Sequence, residues 1–165
     1  MQSQKGVSLA EMLVAVMLVA LLATFGLPAL QRWQLNARIN QQSHALTGLV
    51  QQARSGALES GRHWTLCGSG DGQRCGKNRD ADWRYALLLN ASGNIVQRLR
   101  VDNRLAVYWH GFRNRLHFSP RLASAMLNGS FYVCADRADR AKRIVINRLG
   151  RIRHESVAAG VYCGT

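Results

Sequence analysis

Apolar residues run almost without interruption from Val7 to Leu27, and the pattern then changes twice before the C-terminus. The run is 21 residues long, which at about 1.5 Å per helical residue matches a hydrocarbon core of roughly 30 Å. From Gln31 to Ser60 the apolar positions thin to a stripe. Leu35, Ile39, Leu46, Leu49, Val50, Ala53 and Ala57 recur at spacings of three, four and seven, and Gln41, Gln42, Gln51, Gln52 and Arg54 fall mostly off it. That period predicts the same helix continuing into water with one face packed on a sheet. Gly61, after the last periodic residue, is the expected C-terminal cap. Pro28 removes a backbone donor and crowds the preceding turn, which predicts a bend.

Beyond Gly61 the period shortens to runs of β type broken by turn residues. The expected strands are His63 to Cys67, Trp83 to Asn90, Asn94 to Val101, Leu105 to His110, Leu116 to Ser119, Ser130 to Cys134, Lys142 to Arg148 and Arg151 to Glu155. Asn90-Ala91-Ser92-Gly93-Asn94 reads as a hairpin turn, and Leu149-Gly150 as another, because Gly supplies the positive φ that two closely joined strands require. A long N-terminal helix followed by antiparallel strands gives an α+β fold. About 135 residues lie beyond the apolar segment, enough for one core and too few for two.

Inside the apolar segment stands one carboxylate, Glu11, preceded by Lys5 and Gly6. A charge there costs a few kcal/mol in lipid, so a plain anchor would not carry it. A secretory signal has an apolar core of about 7 to 15 residues and a small-residue cleavage site, whereas this run is longer and continues into a helix. The junction resembles the type IV pilin and pseudopilin signature: a short basic leader ending in Gly, then an apolar segment with Glu fifth. The resemblance makes residues 1–6 a leader, 7–30 a transmembrane and assembly helix, and 31–165 a periplasmic or extracellular head. It implies that a prepilin peptidase cuts after Gly6 and methylates the Val7 amine. Glu11 then finds the partner a buried carboxylate needs in the Val7 amine of a neighbouring subunit. Val7 and Ala10 depart from the usual Phe and Ile of the signature.

Charge changes the picture further. With 22 basic and 9 acidic residues the formal net charge is +13, an imbalance that favours an anionic partner such as nucleic acid, phospholipid or acidic glycan. The four cysteines, Cys67, Cys75, Cys134 and Cys163, lack the paired spacing of a zinc site. An even count in an exported head suits two disulfides. Of three possible pairings, Cys67 with Cys75 and Cys134 with Cys163 are favoured: the first closes a glycine-rich loop and the second ties the tail to a core strand.

Leu66-Cys67-Gly68-Ser69 with Asp71-Gly72 and Cys75, Asp82-Trp83, Phe131-Tyr132-Val133-Cys134 and Ile144 to Arg153 resemble the FimT/GspH group of minor pilins and pseudopilins, on its FimT side. In Gly150-Arg151-Ile152-Arg153 the two arginines are expected on one face of a strand, roughly 6.6 Å apart, with Ile152 toward the core. Such a double fork suits successive phosphates. Arg148, and upstream Arg137, Arg140, Lys142 and Arg143, extend the basic footprint. Residues 136–155 hold seven basic and three acidic side chains and no base-reading element. The resemblance implies DNA binding through Gly150, Arg151 and Arg153 during natural transformation, without sequence preference. Trp83, and Trp109 with Phe112 in the aromatic and basic stretch 109–115, are secondary candidates for stacking bases.

No P-loop, EF-hand, Gly-x-Ser-x-Gly or His-Glu-x-x-His pattern occurs, and His63, His110, His117 and His154 show no metal-ligand spacing. The expectation is a non-enzyme without cofactor or metal, partnered by other pilins, DNA, the inner membrane and the prepilin peptidase. Two other readings compete: a structural minor pilin that primes or caps a pilus, and a type II secretion pseudopilin.

Overall fold

Helix α1, Leu9–Ser60, passes through Pro28 without a break and ends at Gly61, whose φ of +63° is that of a left-handed cap. The coordinates are a computed structural model and describe residues 8–76, 82–121, 127–135, 140–148 and 150–163, with Val161 by its backbone alone. They divide into two units, Met1–Asn36 and Ala37–Thr165.

In the first unit, Ser8 and Glu11 close the start of α1 on each other. Ser8 N–H donates to Glu11 Oε2 at 3.3 Å, and Glu11 N–H to Ser8 Oγ at 3.5 Å, the reciprocal arrangement of a Ser-x-x-Glu cap. The apolar side chains that follow are exposed on every side, Leu22 at 73% and Phe25 at 75% among them. α1 is long and apolar enough to cross a membrane, with a mean hydropathy of 2.5 over an 18-residue stretch. A helix apolar all round is matched to lipid rather than to water.

In the second unit the described residues form eight strands, β1 Trp64–Ser69, β2 Tyr85–Leu89, β3 Ile95–Arg100, β4 Leu105–Gly111, β5 Arg115–Phe118, β6 Gly129–Ala135, β7 Arg140–Ile146 and β8 Ile152–Ala158. They pair antiparallel in two sheets, ordered β3-β2-β1-β5 and β4-β6-β7-β8. Each of the eight expected β-type runs is a strand, and the α+β fold follows. The β2–β3 turn closes on Asn90, whose Oδ1 accepts the N–H groups of Ser92 and Asn94 at 3.1 and 3.0 Å.

The helical stripe is buried at Ile39, Leu46, Leu49, Val50, Ala53 and Ala57. It is wider than its apolar positions, because Gln42, Ser43 and Thr47 are buried with them. Ser43 and Thr47 return their hydroxyls to Ile39 O and Ser43 O, at 2.7 and 2.9 Å, which satisfies them inside the helix. Gln42, expected off the stripe, accepts the Asp102 N–H at 3.4 Å, and Arg38 lies 2.7 Å from the Asp102 carboxylate. Those polar contacts fix the β3–β4 connection to α1.

The inner row of the second sheet carries Phe131, Val133, Ile144 and Ile146, all fully buried. Trp83 meets the Phe131 ring edge-on at 4.9 Å, and Trp109 meets it at 4.5 Å. Trp109 lies where a Cβ on Gly111 or Gly129 would come within 2.3 to 2.5 Å of its indole, so the two glycines make room for it. The outer face is closed by the C-terminal tail. Cys134–Cys163 anchors it, and Tyr162 stacks on Tyr132 at 4.5 Å beside Ala141 and Ala159. The other bridge, Cys67–Cys75, closes a loop organised by Asp71. Its Oδ1 accepts from Gln73 N–H, Arg74 N–H and Ser69 Oγ. Those donors hold its carboxyl down at about 2.

Candidate nucleic-acid interface

The turn between β7 and β8 is built on Asn147 and Gly150. Gly150 N–H donates to Asn147 O at 2.9 Å, Asn147 N–H to Arg151 O at 3.1 Å, and Arg151 N–H to Asn147 Oδ1 at 2.8 Å. Gly150 has φ +72° and is buried. Any other L-residue there carries the steric cost of the left-handed region, about 1–2 kcal/mol. The turn therefore holds the Arg151 backbone on two hydrogen bonds and presents its side chain to solvent.

Arg54 arrives at the same place from α1. Its Cδ and Nη1 lie 3.7 Å from the position a Cβ on Gly150 would take. Val50, Gln51, Arg54, Gly150, Arg151 and Ile152 line an open notch of about 260 Å³. Among the described residues, Arg54, Arg148 and Arg151 form no ion pair. Two guanidiniums lining one notch without a carboxylate repel each other, and an anion between them reverses the sign of that interaction. Arg54 escapes a reading of the chain because only the fold brings position 54 to position 150.

The other arginines are placed differently. Arg153 and Glu155 share the outer face of β8, and Arg153 Nη2 reaches Glu155 Oε1. Arg143, opposite Glu155 in register, donates to Glu155 Oε2 at 3.3 Å and to Ser130 Oγ at 3.1 Å, and lies over the Tyr132 ring at 5.6 Å. One carboxylate thus holds two of the expected phosphate ligands. Lys142 Nζ donates to Ser156 Oγ at 3.1 Å, and Arg140, exposed, pairs in register with Ala158. At about 3.3 Å per residue, Arg140 is roughly 20 Å along β7 from Ile146, where the turn begins. The basic cluster of the sequence is therefore strung along an extended strand. Gly6, Val7 and Arg137 lie outside the described residues.

Of the aromatic candidates, Trp83 is buried, and half-buried Trp109 packs on Phe131 and donates its Nε1–H to Arg113 O at 2.7 Å. Both serve the core. Phe112 is 67% exposed. Nearby, burial and then the charges of Arg113, Arg115 and His63 lower the His117 pKa.

Residues 42–150 match the family described as type II transport protein GspH, and residues 1–27 match the prokaryotic N-terminal methylation motif. A search of curated proteins gave no match. Among solved structures, the type IV minor pilin FimU of Pseudomonas aeruginosa PAO1 superposes with a TM-score of 0.57 at 18% identity, over 74% of this chain and 92% of that one. A second crystal form of FimU gives 0.51 at 21% identity, over 70% and 91%. At such identities the likeness is one of fold.

Proposed function

This chain belongs to the GspH family, a type IV minor pilin or pseudopilin by its fold and methylation motif, and from that premise we propose that it is a minor pilin whose head binds DNA for uptake. The observation that carries the reading is the notch at Gly150, where Arg54 and Arg151 stand without a carboxylate and Arg148 is exposed beside them. Guanidiniums on a rigid turn grip phosphate oxygens and carry no sequence information. The FimT-like Gly-Arg-x-Arg segment supports the same role.

In this reading residues 1–6 are removed by a prepilin peptidase after Gly6, α1 holds the protein in the inner membrane, and the head faces the periplasm. Assembly moves the helix into a fibre of other pilins. There Glu11, which caps its own helix through Ser8, exchanges that contact for the Val7 amine of a neighbour.

The test is an anisotropy titration of labelled duplex DNA with the full chain in nonionic detergent at several salt concentrations. Three phosphate ligands predict a slope of log affinity against log salt near −3, flattened in Arg151→Gln. A salt-independent or absent interaction would dismiss the reading.

The family description itself favours a second reading, a pseudopilin of type II secretion. Deletion of the gene separates them: transformation lost with pili retained indicates a DNA receptor, lost pili indicate an assembly primer, and a secretion defect alone indicates the pseudopilin.

A further inference from the structure

We propose that Phe112 is a base-stacking platform and that the DNA taken by this head is single-stranded, at a duplex end or a frayed segment; this rests on the DNA-binding reading above. The register of the second sheet places Gly111 opposite Gly129, Gly129 opposite Ile146 and Ile146 opposite Ile152. The loop that follows β4 and the Gly150 turn therefore emerge from the same end of that sheet. In the order β4-β6-β7-β8 they are two to three strand spacings apart, about 10–14 Å at 4.8 Å per strand.

The loop is held from both sides. Phe112 N–H donates to Asn128 O at 3.4 Å, and the Trp109 indole donates to Arg113 O at 2.7 Å. With its backbone fixed, Phe112 is still 67% exposed, and Arg113 and Arg115, which follow it in the same loop and strand start, are exposed too. Among the described residues no ion pair involves either arginine. A protein partner would meet an apolar ring inside a field of uncompensated positive charge. A nucleotide brings both complements at once, a π-face for the ring and a phosphate for the arginines. Bases inside a duplex are already stacked on each other, so an exposed ring discriminates in favour of a single strand.

The experiment compares labelled oligo(dT) with a duplex of equal length, both titrated with the full chain in nonionic detergent at one salt concentration. The single strand binds more tightly, and Phe112→Ala weakens it about tenfold while changing the duplex less than twofold. Phe112→Tyr retains the preference and Phe112→Leu, apolar but without a π-face, loses it. Equal affinities for the two DNAs, or a Phe112→Ala chain that still prefers oligo(dT), overturn the stacking role while Arg151→Gln still weakens binding to both. If neither DNA binds, the DNA reading falls and this inference with it. If Phe112→Ala leaves DNA binding intact but disturbs pilus assembly, the ring belongs to a protein contact and the inference is overturned.

Discussion

Arg153 Nη2 sits 2.6 Å from Glu155 Oε1, so one arginine of the Gly-Arg-x-Arg segment is already neutralised within the head. Arg151, two residues earlier, has no such partner among the described residues. Arg151→Gln is therefore expected to flatten the salt slope of DNA binding by about one, and Arg153→Gln by less. Glu155→Gln frees Arg143 and Arg153 together and steepens the slope by about one. Equal effects of the two arginine substitutions would show that DNA displaces Glu155.

Gly150→Ala is expected to destabilise the head by about 1–2 kcal/mol in a denaturant titration, through φ alone. A Cβ there finds its nearest neighbours at 3.7 Å, which is ordinary contact. Gly150→Asn, tolerant of the left-handed region, loses less. Similar losses for the two would place the cost elsewhere than in the backbone.

Removing Cys134–Cys163, whose cysteines are 29 residues apart, is expected to cost about 3.6 kcal/mol, against about 2.5 for Cys67–Cys75, 8 apart. Paired Cys→Ser variants, unfolded in urea beside the parent, give both values. The first variant also releases Tyr162 from Tyr132, which near-ultraviolet circular dichroism registers.

His154 ties β8 to α1 through Thr47 Oγ1, 3.2 Å from its Nε2, with the His44 ring at 5.5 Å. Burial, then His44 and Lys142, lower its pKa below 6.5. The folded head thus resists protonation there. This stabilisation is complete above pH 6.5 and is lost as pH falls through the depressed folded value. The melting temperature is expected to drop between pH 7.5 and pH 5, and His154→Gln to reduce the drop. His117 is shifted the same way, so His117→Gln removes a further part.

The strands were legible because a sheet with one buried face writes alternation into its sequence, as in Leu116 and Phe118 buried against exposed Arg115 and His117. Gln42, Ser43 and Thr47 were not: the hydroxyls of Ser43 and Thr47 are buried on hydrogen bonds that hydropathy does not see, and Gln42 is buried with its Oε1 partnered and its Nε2 without a partner among the described residues. Ser8 and Glu11 stand at the Ser-x-x-Glu spacing of a reciprocal cap, a pattern the chain itself displays. At the notch the glycine and Arg151 could be found from the chain. Arg54 and Glu155 could not be assigned, because one enters from a distant helix and the other acts by pairing across strands. Counting charges along β7 overstated the cluster, because an extended strand separates what the sequence places side by side.

The tail that closes the outer face of the second sheet has a consequence for the order of folding. A chain that leaves the ribosome or a translocon N-terminus first delivers Cys75 soon after Cys67, and the small loop can oxidise at once. Cys134 must wait for Cys163, 29 residues later. Until then its thiol is exposed to the wrong partners, and the second bridge acts as a lock that closes only once both β7 and β8 have been delivered.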